Sequence, residues 1–172
     1  IKVNGKAYTL PEVEPKSHIQ ELDFYNAIHK RKTVWETKDG DITVECERFA
    51  SMARQHLISL KYSVTCDFDA DVEIITGIDG DVWDINGPHF KNLSVGFENG
   101  IGKVLGITEE KEITVGSEFT ANADFECDKK DEVTSMQALS VFSFKAESKK
   151  TYSVEKTGGI FTSVDTLSYT DK

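Results

Sequence analysis

Apolar side chains recur at every second position through most of this sequence, and a period of two restricts the chain to strands with one buried face. Ile58, Leu60, Tyr62 and Val64 fall on one side of such a strand, with Ser59, Lys61 and Ser63 on the other. Ile113, Val115, Ser117, Phe119, Ala121, Ala123 and Phe125 continue the pattern over a length that crosses a large sheet, and its small residues are expected to face a bulky neighbour. Ile42, Val44 and Cys46 begin a third alternation after Lys38-Asp39-Gly40-Asp41, where Asp-Gly supplies the positive φ of a tight turn, so residues 28–51 are predicted to form a hairpin.

Further turn signals stand at Asn4-Gly5, Asp79-Gly80, Asn86-Gly87-Pro88, Asn99-Gly100 and Gly158-Gly159, a frequency that implies antiparallel strands. Residues 49–56 and 131–138 could each hold a short helical turn, but both lack the length or caps of a stable helix. The expected class is all-β, an antiparallel sandwich in which two sheets cover each other's apolar faces. A chain of 172 residues suits a single domain around one core, and it shows no internal repeat.

Thirty acidic against twenty basic side chains leave a net charge of −10. That charge repels phosphate backbones and anionic lipid, so neither nucleic acid nor membrane is an expected partner. No apolar run approaches a membrane span, and the start, Ile1-Lys2-Val3-Asn4, carries no signal pattern; the chain reads as a piece excised from a longer one. Cys46, Cys66 and Cys127 are odd in number and widely spaced, which favours a reduced, cytoplasmic setting over a disulfide framework or a zinc site.

Asp67, Asp69 and Asp71 form a D-x-D-x-D run without the Gly and terminal Glu of an EF-hand loop, so it reads as a solvated turn, as does Asp79-Gly80-Asp81. His18, His29, His56 and His89 lack the spacing of a metal site, and no Ser sits in G-x-S-x-G; no catalytic or metal-binding residue is assigned. His29-Lys30-Arg31-Lys32 is the one basic cluster, which could hold a phosphate or pair with an acidic partner surface, although a charged strand edge that discourages aggregation is the commoner case. Trp83, with Pro88, His89 and Phe90 across a glycine-containing loop, is the grouping suited to contact sugar or dock a domain, although a Trp packed on its own core is the commoner case.

Three elements in fixed order go further: Leu22-Asp23-Phe24; Glu47-Arg48-Phe49-Ala50-Ser51-Met52-Ala53-Arg54-Gln55-His56-Leu57; and Thr76-Gly77-Ile78-Asp79-Gly80-Asp81-Val82. With Glu155-Lys156 before Thr162-Ser163-Val164-Asp165, they resemble the N-terminal domain of glycoside hydrolase family 65, the maltose, kojibiose, nigerose and trehalose phosphorylases. Many members have Met where Phe24 stands, a swap an apolar site tolerates. The signature, Asp23, Arg48, Phe49, His56, Gly77, Asp79 and Gly80, reads as structural. Arg48 and His56 are expected to satisfy backbone carbonyls or pair with Glu47 or Asp23, Phe49 and Leu57 to fill the core, and Gly77 and Gly80 to permit a turn.

The resemblance implies a super-sandwich like that of galactose mutarotase, preceding a helical (α/α)6 barrel. In that barrel a Glu acts as general acid while inorganic phosphate, the co-substrate, attacks the anomeric carbon of an α-linked gluco-disaccharide with inversion. It implies no cofactor, a cytoplasmic enzyme, the chain's own C-terminal barrel as partner, and a possible homodimer. The family's earlier G-N-G-Y-L-G-x-R-G segment is absent, so the first strands of the sandwich are expected to be missing. A free-standing carbohydrate-binding module is the alternative, and a mutarotase-like enzyme with converging His and Glu the third.

Overall fold

The computed structural model describes residues 1–85 and 87–165, apart from the Asp84 side chain, and contains no helix among them. The strands are β1 (Lys2–Val3), β2 (Lys6–Ala7), β3 (Ser17–Asp23), β4 (Ile28–Thr37), β5 (Gly40–Ala50), β6 (Leu57–Cys66), β7 (Ala70–Asp79), β8 (Trp83–Asp84), β9 (Gly87–Pro88), β10 (Phe90–Glu98), β11 (Ile101–Thr108), β12 (Thr114–Ala123), β13 (Asp128–Val133), β14 (Gln137–Ala146) and β15 (Thr151–Thr162). An eight-stranded sheet runs β10-β11-β12-β15-β6-β5-β4-β3, a five-stranded sheet runs β13-β14-β7-β1-β2, and β8 with β9 forms a small ribbon. Every pairing is antiparallel, so the two sheets make the β-sandwich that the period-two alternation predicts.

The Asn-Gly turns behave as their chemistry requires. Asn4 and Gly5 have φ of 49° and 77°, Asn99 and Gly100 of 52° and 78°, the left-handed pairs that match the twist of hairpin strands. The β4–β5 hairpin turns at Gly40, φ 135°. Gly158-Gly159 is no turn but lies inside β15, where a Cβ on Gly158 would stand 3.0 Å from the Glu118 carbonyl oxygen. The turn expected at Asn86 lies outside the described residues. Residues 131–138, a candidate helical turn, instead span the end of β13, a tight turn and the start of β14, with the Thr134 hydroxyl accepting from Met136 and Gln137 N–H groups.

Trp35, Ile42, Val44, Val64 and Cys66 of the large sheet share the core with Val3, Val72, Ile74 and Phe142 of the small one. Each large apolar side chain so buried contributes about 1.5–3 kcal/mol. On β12 the small Ser117, Ala121 and Ala123 stand beside Ile160, Lys156 and Val154 of β15, the bulky neighbours expected, while bulky Phe119 lies against β11, where a Cβ on Gly102 would fall 2.2 Å from the ring. The small sheet does not match the large one in width. β7 and β14 lie over β10–β12, and the N-terminal segment crosses β4, with Tyr8 5.8 Å from the Trp35 ring and Trp35 Nε1 donating to the Val13 carbonyl. Beyond that cover the alternation on β6 persists but its burial fails, and Ile58 is exposed.

Candidate functional site

Antiparallel order brings the β3–β4 tip, the β5–β6 loop, the end of β15, the β11–β12 loop and the start of β10 to one end of the large sheet. All three residues singled out for sugar contact or docking lie at this rim. Trp83 is 64% exposed on the β8–β9 ribbon, its Nε1 donating to Asp81 Oδ1 at 2.6 Å, so it is not a core Trp; a two-residue ribbon has no layer across from it. His89 joins the ribbon to β10 through N–H to the Val82 carbonyl, 3.0 Å. Phe90 turns its ring toward Gly106, where a Cβ would meet it at 3.1 Å.

The signature residues gather at the same rim. Asp23 closes the β3–β4 tip by accepting from the N–H groups of Tyr25 and Asn26 at 3.0 Å and from Asn26 Nδ2 at 2.8 Å. The Asn26 bonds hold its carboxyl below the usual carboxylate range. His56 satisfies a backbone carbonyl as expected: Nδ1 donates to Ile160 O at 2.8 Å, and the ring stacks 4.5 Å from Phe161. Phe49 does not fill the core. It is 46% exposed, because it stands on the outward face of β5 with Glu45 and Glu47, opposite the inward Cys46 and Arg48. Met52, His56, Leu57 and Phe161 line a largely apolar groove of about 570 Å³.

Gly77 and Gly80 do not form a turn. Gly77 is inside β7, where a Cβ would sit 2.1 Å from the Ala138 carbonyl oxygen, so glycine is needed for the approach of β14. A Cβ on Gly80 would lie 3.0 Å from the Met136 carbonyl oxygen. Asp79 fixes the strand end, Oδ1 accepting from Asp81 N–H at 2.9 Å and Oδ2 from Gln137 Nε2 at 2.8 Å.

Two features were not singled out from sequence. The first is exposed apolar surface at the rim: Phe24 is 88%, Tyr25 97% and Met52 85% exposed, and apolar residues at turn positions were its signal. The second is the division of the basic cluster. Lys30 and Lys32 face outward to Glu47 and Glu45 at 3.6 and 3.1 Å, whereas His29 and Arg31 face inward, as period two requires. There Gln20 bridges two rings, Nε2 donating to His18 Nε2 and Oε1 accepting from His29 Nε2, while His18 Nδ1 donates to Thr33 Oγ1 at 2.9 Å.

Among the described residues no cluster of His, Cys, Asp or Glu is arranged to hold a metal ion. The aspartates of the D-x-D-x-D run serve the β6–β7 turn: Asp67 Oδ2 accepts from Asp41 N–H and Asp69 Oδ1 from Ser148 N–H. The cysteines are free, and burial pushes the Cys66 thiol up to about 11, away from thiolate chemistry. What the rim offers is apolar contact and shape.

Comparison with known proteins agrees with this architecture. The profile of the glycosyl hydrolase family 65 N-terminal domain matches residues 1–172. A nigerose phosphorylase of Lachnoclostridium phytofermentans is 46% identical over 93 residues, covering 54% of this chain and 12% of its own length. A 1,2-alpha-glucosylglycerol phosphorylase of Bacillus selenitireducens is 32% identical over 167 residues, 96% of this chain and 22% of its own. A solved chain from the human microbiome, assigned as a kojibiose phosphorylase, superposes with a TM-score of 0.83 at 13% identity over 94% of this chain and 21% of that one, a likeness of fold. The chain thus spans less than a quarter of the length of these relatives, and it belongs to glycosyl hydrolase family 65 as the N-terminal domain of that family.

Proposed function

We propose that residues 1–172 form one non-catalytic domain of a longer disaccharide phosphorylase, and that its rim packs against a separate helical barrel carrying the general acid and the phosphate site. The observation that carries this reading is the rim itself. Phe24, Tyr25 and Met52 extend into solvent beside the signature residues Asp23, Phe49 and His56, and exposed apolar clusters of this kind mark docking surfaces. The kinship with longer phosphorylases supports it. The substrate class is an α-glucosidic disaccharide, the co-substrate inorganic phosphate, the setting cytoplasmic, and a homodimer of the longer protein belongs to the same reading.

The domain contributes packing, because sugar binding without a positioned acid and phosphate gives no transition-state stabilisation. Assay of the longer protein and of residues 1–172 with nigerose, kojibiose and maltose plus phosphate tests this. Glucose 1-phosphate from the longer protein alone is the expected result; release by residues 1–172 overturns it. The exposed Trp83 favours a second reading, a carbohydrate-binding module, for which calorimetry of residues 1–172 against the same sugars should show binding in isolation.

A further inference from the structure

The inner face of the large sheet changes character along its length. Where residues 1–13 cover it, the strands present Trp35, Ile42, Val44, Val64 and Cys66. Toward the rim the inner positions of β4, β5, β6 and β15 are Arg31, Cys46, Arg48, Leu60, Tyr62 and Lys156, with Arg31 beside Cys46, Arg48 beside Leu60 and Leu60 beside Lys156. Strands lie about 4.8 Å apart, so three cations rise from a patch about 15 Å across. In a chain with 30 acidic residues, no Asp or Glu occupies an inner position of β3, β4, β5, β6 or β15. Neither Arg31 nor Arg48 bonds to any described residue, and Arg31 Nε is buried without a partner. All three cations act on the Cys46 thiol, whose pKa burial raises and their charge opposes.

A strand edge borders this patch. β7 is paired with β14 along residues 70–79, but on its other side β1 pairs only at Lys2 with Glu73 and Val3 with Val72. Among the described residues, 74–79 therefore present an edge without a neighbouring strand, and Lys156 Nζ reaches it at the Gly77 carbonyl, 2.9 Å. An open edge is a template for an added strand, and a part-buried charge without a counter-ion costs stability that an incoming carboxylate would offset.

We propose that this groove receives an extended, carboxylate-bearing segment from the longer polypeptide outside residues 1–172, added as a strand to β7 with its acidic side chains over Arg31, Arg48 and Lys156. The proposal rests on the longer phosphorylase proposed above. Edge pairing supplies the backbone hydrogen bonds, and the acid-free, cation-bearing floor selects acidic side chains. A second copy is the poorer occupant, since pairing two such edges sets like charges against each other.

Hydrogen exchange of amides 74–79 in residues 1–172, in the longer protein, and in its Arg48→Met and Lys156→Met variants tests this. Exchange slows by about tenfold or more in the longer protein, and both variants reverse part of that slowing. Equal exchange in the two proteins overturns the proposal, and slowing that neither variant touches overturns the acidic occupant. Protection of residues 1–172 that grows with their own concentration identifies a second copy, and protection by inorganic phosphate alone identifies a small anion; either overturns it. Rim amides 51–56 report separately on barrel docking, so the two readings can fail independently.

Discussion

Lys156 Nζ on the large sheet donates to the carbonyl oxygen of Gly77 on the small sheet at 2.9 Å, so the ammonium group bridges the two layers at the edge of the open groove. Burial holds its pKa below the usual lysine value, and among the described residues no ion pair offsets that. Between the depressed pKa and 10.5 the folded chain binds fewer protons than the unfolded one, so this group's contribution to stability rises with pH across that window. Cys46 and Cys66 act oppositely, since burial raises both thiols and stability is lost as pH passes their unfolded value. The contrast between parent and Lys156→Met reports the lysine together with its effect on Cys46, and removing the lysine raises that thiol further, so both changes act in the same direction. Urea unfolding of residues 1–172 from pH 7 to 10.5 should show the variant at least as stable at pH 7, with its advantage shrinking as pH rises. An advantage that grows with pH contradicts this.

Gly77→Ala should be costly, because the new Cβ would lie 2.1 Å from the Ala138 carbonyl oxygen, a backbone atom that moves only with β14. Overpacking against backbone predicts a loss of about 3 kcal/mol or more. Gly96→Ala, with nothing within 4 Å of the new Cβ, should change stability by less than about 1 kcal/mol. Denaturant midpoints of the two variants, compared at equal m-value, decide.

His56→Ala removes both the hydrogen bond to the Ile160 carbonyl and the stack on Phe161. We expect a loss of about 1–2 kcal/mol in urea unfolding. His56→Gln, which keeps a donor, should recover part of it. Equal losses in the two variants would show that the hydrogen bond contributes nothing.

The triple variant Phe24→Ser, Tyr25→Ser, Met52→Ser touches only exposed side chains, so residues 1–172 should keep their stability within about 0.5 kcal/mol per site. The same changes in the longer protein should lower its thermal midpoint and its phosphorolysis. A midpoint that falls equally in both proteins would make these side chains part of the domain's own core.

The fold was largely legible because period two and Asn-Gly turns act through local stereochemistry: residues 28–51 and the strand at Ile58–Val64 are where the alternation places them. What sequence missed is set by layers. Ile58 continues the apolar face of Val64 yet is exposed, because the small sheet stops short. Gly77 and Gly80 looked like turn residues, but their purpose is close approach to residues 136–139, a contact about 60 positions away. At the rim, Asp23 and His56 took structural roles of the kind their types suggest, while Phe49 did not, since the alternation of Ile42, Val44 and Cys46 puts it on the outward face of β5. The basic cluster at residues 29–32 was visible, but its division into an outward half paired with glutamates and an inward half without a carboxylate partner among the described residues needed the neighbouring strands.

The most direct test of the account is the protection of the rim. Hydrogen exchange of amides 24–27 and 51–56 should be fast in residues 1–172 alone and markedly slower in the longer protein, where the barrel covers Phe24, Tyr25 and Met52. Equally fast exchange in both would show that the rim meets solvent in the intact enzyme, and would contradict a domain whose purpose is to dock.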